Sequence, residues 1–411
     1  VSRVPRTARG VENRQRTRRD GSGYWTFRVR WTDPATGGRM SEEFDEQGDA
    51  IDFHAALRLA RRGGGLRDLG AGRETLSEYA VHWWETYAAH NLTRATLKVY
   101  SSVWNLHARP RIGHLELRAI TPGVMARLRT DLEAAGVGAP TIRKTMAVVQ
   151  SMLRRAVEED RIRSNPAAQV RKPTTTRQRA VAPLPPATVE ALRDEVKELR
   201  DGCLISVLAY GGLRPEDALA LEWRHVRKTT LLVEQKNVDG QVVVGAKVDG
   251  KPPRTVDLFA ALRQDLAEYR LACGAPAAST LVFPGPSASP WTESQYRSWR
   301  RWVFQPAAAA IGIATLEHKT ASVYIDGKRH RRSTRSYRGP RPYDLRHSFA
   351  SLLIHAGDLS VVEIAAQLGH SPQTLLRTYA HIFAELRGQP KMPADRQIAK
   401  ARAARRKLAL A

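Results

Sequence analysis

Near its C-terminal end the chain reads LGHSPQTLLRTYAHI, placing His370 nine positions before Tyr379. Upstream stand YDLRHS, with Arg346, and YGGLRPEDALALEW, with Arg214. Arginine forks grip a phosphate through paired hydrogen bonds. A tyrosine hydroxyl can serve as a covalent nucleophile. Two arginines, a histidine and a late tyrosine therefore suit phosphoryl transfer to a protein hydroxyl. Between the arginines, GAKVDGKPPRTVDL places Lys247 just before a turn, where a lysine can protonate a leaving oxygen. Lys251 is close enough to be confused with it. Asp217, three residues after Arg214, is expected to orient that guanidinium. Tyr343, three residues before Arg346, is expected on the same helix face. His347 is read as orienting a neighbour or the backbone rather than doing chemistry. Each piece alone has a plain alternative: an Arg–Asp pair at a helix start, a solvated hairpin lysine, a half-buried core tyrosine. Their joint occurrence carries the reading.

The expected chain is α+β, mostly α. Residues 1–22 are Arg-rich and lack apolar period, which reads as a basic disordered arm. In YWTFRVRWTDPATGGRMSEEF, the residues Trp25, Phe27, Val29 and Trp31 alternate with Thr26, Arg28 and Arg30, a strand of period two. DPATGG is a turn and RMSEEF a return strand. With the helix that follows, 23–63 reads as a small N-terminal three-stranded sheet plus helix, whose Arg28 and Arg30 are candidates to contact a polyanion. Gly63, Gly64 and Gly65 break it off.

From 75 to 168 the pattern is helical: a four-helix bundle with Arg94, Lys98, Arg143 and Lys144 on a basic surface. Pro110 and Gly113 are expected to stop the second helix, and Thr121–Pro122 to start the third. Residues 171–186 read as an extended linker. Residues 187–388 form a mixed α/β unit in which 316–342 is expected to be a long surface loop. A basic tail covers 389–411.

Lys and Arg number 66 against 41 Asp and Glu, a net charge of +25. Such an excess calls for a polyanionic partner, first of all nucleic acid. No apolar run approaches 18 residues and no signal peptide is evident, so no membrane role is expected. Two cysteines give neither a disulfide framework nor zinc spacing.

Taken in order, GLRPED, the Lys247 hairpin, YDLR and LGH with Tyr379 nine residues later resemble the tyrosine recombinase, or phage integrase, family. The resemblance spans about 75–388, and 23–63 is similar to the small arm-binding domain of many integrases. One departure stands out: the usual histidine three residues before the second arginine is Tyr343 here, a poorer base than imidazole.

The resemblance implies a site-specific recombinase with arm-binding, core-binding and catalytic modules. Tyr379 would form a 3′-phosphotyrosyl link. Arg214, Arg346 and His370 would stabilise the phosphate, and Lys247 would protonate the leaving oxygen. It implies no cofactor and no metal. Its implied partners are double-stranded DNA attachment sites and a homotetramer on DNA, with a DNA-bending protein and an excision directionality factor as accessories. The implied setting is the bacterial cytoplasm, at the nucleoid. Two other classes fit the same motifs: a non-catalytic DNA-binding paralogue, and a DNA breaking-rejoining enzyme such as a topoisomerase or telomere resolvase.

Overall fold

Alternating side chains build the first element of the fold. Along strand β2 (Gly23–Thr32), Phe27 and Val29 are buried while Arg30 is exposed. Strands β1 (Val11–Thr17), β2 and β3 (Arg39–Phe44) form an antiparallel sheet in that order. Helix α1 (Gln47–Arg62) covers one face, packing Ala50 and Leu57 against Val11, Phe27 and Val29. The computed structural model describes residues 5–18, 21–32, 38–62, 71–174, 183–244, 253–325, 328–385 and 390–410. The Gly63–Gly65 break and most of the DPATGG turn lie outside them.

Residues 11–17, expected within a disordered arm, are instead the strand β1, in register from Val11 opposite Val29 to Thr17 opposite Gly23. VENRQRT carries almost no apolar signal. The backbone ladder with β2 and the cross-strand pair of Arg30 with Glu12 at 3.2 Å define it instead.

The chain divides into two units, Val1–Gln178 and Arg179–Ala411. In the first, the sheet module is followed by helices at 76–91 (α2), 94–112 (α3), Pro122–Ala134 (α4) and Ala139–Glu158 (α5). Thr75 and Glu78 close a capping box at the start of α2. Thr121 caps α4 ahead of Pro122, as the sequence suggests. Trp83, Trp104, Met125, Leu128, Met146 and Leu153 lie in their shared core.

Pro110, expected to stop the second helix, sits inside it. A π-turn at Trp104–Ala108 precedes it, and the Arg109 N–H already reaches back five residues to Trp104 O. The hydrogen-bond ladder is thus offset where the proline enters, so its missing N–H disrupts little.

The second unit begins with α6 (Pro186–Asp194), α7 (Leu199–Tyr210) and the short α8 (Pro215–Ala218). Strand β4 (Thr230–Val233) pairs with β7 (Arg254–Asp257), and β5 (Gln235–Val238) with β6 (Gln241–Val244). Lys247 and Lys251, between β6 and β7, lie outside the described residues. Helix α9 (Ala260–Ala272) and a helix at 293–310 (α10) follow. Then come α11 (Asp344–Ala356), α12 (Val361–Leu368), α13 (Pro372–Glu385) and α14 (Ala394–Leu410). The buried α7 and α11 pack on each other at the centre of the unit.

One expectation fails here. Most of the supposed surface loop at 316–342 is a β-hairpin, β8 (Thr315–Ile325) with β9 (Lys328–Arg338), paired from Thr315 opposite Arg338 to Ile325 opposite Lys328. Its sequence is basic and polar, so the two-residue period that marks a half-buried strand is missing. The backbone ladder defines it instead.

The C-terminal segment, read from the sequence only as a basic tail, is largely a helix packed on its own unit. Ala394, Ile398 and Ala401 of α14 are buried. Arg402 reaches Asp265 at 2.6 Å and Glu190 at 3.3 Å, and Arg405 reaches Asp194 at 2.9 Å. Part of the tail's positive charge therefore neutralises carboxylates within the fold.

Candidate active site

A left-handed turn places the first arginine. Gly212 has φ +59°, and a Cβ there would lie 2.1 Å from Phe349 Cδ1, so the turn admits only glycine. Arg214 then caps α8 in extended conformation. A second left-handed glycine, Gly369 (φ +59°), ends α12 and sets His370 at the junction with α13.

Three arginines converge on the end of α12. Arg346 Nη1 donates to Gly212 O, and its Nη2 donates to Leu368 O. Arg254 Nε donates to Gln367 O at 3.1 Å, and Arg214 Nη2 to Gly369 O at 3.4 Å. The last carbonyls of a helix have no intrahelical partners and carry the negative end of its dipole, so cations are favoured there. Arg346 thereby ties the Arg214 turn to the His370 turn. It is only 1% exposed.

Asp217, expected to orient Arg214, pairs more closely with Arg254: 2.7 Å against 3.7 Å. It is the carboxylate these guanidiniums share. Burial pushes the neighbouring Glu216 carboxyl upward, towards its neutral form. Arg214 and Arg254 both pair with the single Asp217 carboxylate, beside the buried Arg346. Burial, then Arg214 and Arg254, lower the Arg346 guanidinium to about 10, still charged at neutral pH.

His370 receives a hydrogen bond at Nε2 from Arg346 Nη2 (3.2 Å). Burial and then the charges of Arg346 and Arg214 hold its imidazole down to about 4. At neutral pH it is uncharged, with Nε2 accepting, so Nδ1 carries the proton. His370 Nδ1 and Arg346 Nε are both buried without a hydrogen-bond partner. Donors of this kind, in a pocket of excess positive charge, suit an anion's oxygens.

The remaining residues gather on α11 and α13. Tyr379 is fully buried, its hydroxyl 2.6 Å from His347 Nδ1. Tyr343 does not share the buried position of Arg346. It stands at the start of α11, 39% exposed, with its ring edge-on to His347 at 5.7 Å. Lys247 falls outside the described residues.

Of the DNA-contact candidates, Arg28 lies 3.6 Å from Glu43 and Arg30 3.2 Å from Glu12. Arg94, Lys98, Arg143 and Lys144 are exposed on α3 and α5, which pack together. Arg254 was missed. It follows two prolines at the start of a strand and bonds Asp217 across 37 positions. Nothing local in the sequence marks it.

Two family models match the chain: the phage integrase family over residues 184–385, and the phage integrase N-terminal SAM-like domain over 75–132. The chain belongs to the phage integrase family. It is a tyrosine-type site-specific DNA recombinase. A curated relative, tyrosine recombinase XerC of Xanthomonas axonopodis pv. citri (strain 306), is 28% identical over 251 residues, 60% of this chain and 69% of that protein. Among solved structures, the Tn1549 transposon integrase in complex with circular intermediate DNA matches with TM-score 0.58 and 14% identity, over 77% of this chain and 99% of that one. A lambda integrase dimer bound to a COC′ core site matches with TM-score 0.54 and 16% identity, over 94% of this chain and 99% of that one. At these identities the likeness to the two integrases is one of fold. The α+β, mostly α architecture agrees with it.

Proposed function

We propose that this recombinase integrates or excises a phage or other mobile element, cutting DNA through a 3′-phosphotyrosyl intermediate on Tyr379. The observation that carries this reading is the cluster of Arg214, Arg254, Arg346 and His370, in which Arg214 and Arg254 share Asp217 and two buried donors, Arg346 Nε and His370 Nδ1, are unfilled. A scissile phosphodiester supplies the missing negative charge and oxygen acceptors. Attack by the Tyr379 oxygen forms the O–P bond and releases a 5′-hydroxyl. That hydroxyl, from a partner duplex, reverses the step. Because bond energy is retained in the phosphotyrosyl link, no nucleotide cofactor is needed.

Arg214, Arg346 and the His370 Nδ1–H would stabilise charge on the non-bridging oxygens. Lys247 would protonate the leaving oxygen. Tyr343, in place of the usual histidine, would donate a hydrogen bond at most. Residues 23–63 would hold distant arm sites through Arg28 and Arg30, 75–168 the core site through Arg94, Lys98, Arg143 and Lys144, and 187–388 the chemistry. A homotetramer on DNA, joined by a bending protein and a directionality factor, would exchange the strands. Lambda integrase, of similar fold, has been captured as a tetramer bound to a Holliday junction.

The test is a nicked site DNA that traps the adduct, run on a denaturing gel. Wild type should give a covalent complex in EDTA, and Tyr379→Phe should bind the site and give none. An adduct that persists in Tyr379→Phe removes this assignment and turns attention to Tyr337 and Tyr343.

A further inference from the structure

A phenol needs its proton removed as it attacks phosphorus, and the position that usually holds a histidine three residues before Arg346 holds Tyr343. A phenol of pKa near ~10 is a weak acceptor at neutral pH. His370 is ill placed to substitute: Arg346 occupies its Nε2, and its Nδ1 carries the proton. Asp217 is engaged by Arg254 at 2.7 Å. Tyr379 is withdrawn from solvent, so bulk water is no ready acceptor.

The imidazole of His347 stands in hydrogen-bond contact with the nucleophile, Nδ1 to Tyr379 Oη at 2.6 Å, the reach expected of a general base. Its ring is flanked by Tyr343 at 5.7 Å and Tyr379 at 5.6 Å. It follows Arg346 directly on α11, so the phosphate-binding arginine and this imidazole are fixed by one rigid helix. His347 is half-buried, which leaves a route for a proton to reach solvent.

We propose that His347 is a catalytic residue: its Nδ1 takes the phenolic proton of Tyr379 as the tyrosine oxygen bonds to phosphorus. The inference rests on Tyr379 being the nucleophile. The Tyr379 O–H bond breaks and its proton moves to Nδ1. The O–P bond forms, the bond from phosphorus to the 5′-oxygen breaks, and the leaving oxygen takes a proton from the lysine. In the reverse step His347 returns the proton to the tyrosine oxygen. The imidazole here sits one residue after Arg346, doing the work of a histidine absent three residues before it.

The experiment compares wild type, His347→Ala, His347→Gln and Tyr379→Phe in single-turnover cleavage, with site binding and thermal unfolding measured alongside. One substrate is normal; a second carries sulfur in place of the 5′-bridging oxygen, a leaving group that needs no acid. Both His347 variants should bind the site and cleave about 10²–10⁴-fold slower. The sulfur substrate should leave that deficit in place. Glutamine can accept the phenol's hydrogen bond but not its proton, and its near-native shape keeps the test open if the alanine variant unfolds. Cleavage by His347→Gln at the wild-type rate reduces His347 to positioning and overturns the proposal. Faster cleavage by either variant makes the contact a latch and overturns it too. So does recovery on the sulfur substrate, which would place His347 at the leaving group. An adduct surviving in Tyr379→Phe instead sinks the nucleophile reading itself, and the two failures are told apart by that control.

Discussion

Replacing Arg346 by lysine keeps the charge and removes the fork. In the native site one guanidinium spans three acceptors: Gly212 O, Leu368 O and His370 Nε2. An ammonium on a single nitrogen cannot reach all three, because Gly212 and Leu368 lie on separate turns. At least one buried carbonyl then loses its partner, at about 1–3 kcal/mol. For a domain of this size each kcal/mol lowers Tm by about 2–4 °C, giving a fall of about 2–12 °C. His370 also loses the donor that fixes its tautomer, so its Nδ1–H is no longer held in place for a phosphate oxygen. Removing one preorganised donor of this kind costs about 10²–10³ in rate. Arg346→Lys should therefore bind site DNA nearly as wild type, melt lower, and trap adduct on nicked DNA about 10²–10³-fold more slowly. Differential scanning and single-turnover gels measure the two effects separately. Cleavage within about threefold of wild type would show that the fork does not face the scissile phosphate, even if Tm falls.

Gly212→Ala forces a Cβ into Phe349 at a left-handed turn. The strain of about 1–2 kcal/mol and overpacking of about 1–3 kcal/mol should lower the chemical-denaturation midpoint and displace Arg214; unchanged stability would refute the close approach. His370 titrates at about 4 in the fold and near ~6.5 in an unfolded chain. Between those values the unfolded chain binds the extra proton, so stability should fall as pH drops from about 6.5 towards 4, by at most about 3 kcal/mol. Urea midpoints at several pH values should show a shallower dependence in His370→Gln, and parallel curves would contradict it. With net charge +25, each phosphate contact should add about −0.9 to the slope of log affinity against log salt. Roughly ten contacts would cost about five decades between about 50 and 200 mM, and a slope near zero in binding titrations would argue against a clamped duplex. Deleting residues 1–65 should spare core-site cleavage and abolish recombination that needs arm sites; normal recombination on full-length sites would reduce the sheet module to a structural role.

Side-chain chemistry and short-range spacing are properties of the sequence itself. Arg214, Arg346, His370 and Tyr379 could be named because each sits in a compact motif. The helix start at Thr121 could be read because a cap hydroxyl and the backbone N–H that donates to it are separated by a few residues. The β2 alternation was visible because burying one face imposes a two-residue period. Other features depended on partners far along the chain. Strand β1 and the hairpin at 315–338 are polar, and their identity lies in backbone pairing, which leaves no mark on side-chain order. Pro110 passes through its helix because a π-turn has already shifted the ladder. The C-terminal helix finds its place through Glu190, Asp194 and Asp265, carboxylates more than a hundred positions upstream. Arg254 enters the site through Asp217, 37 positions away, and His347 meets Tyr379 across 32. The sequence determined which groups could do the chemistry. Tertiary packing decided which of them touch, because such contacts form only when burial and long-range hydrogen bonding bring separate helices and strands to the same point.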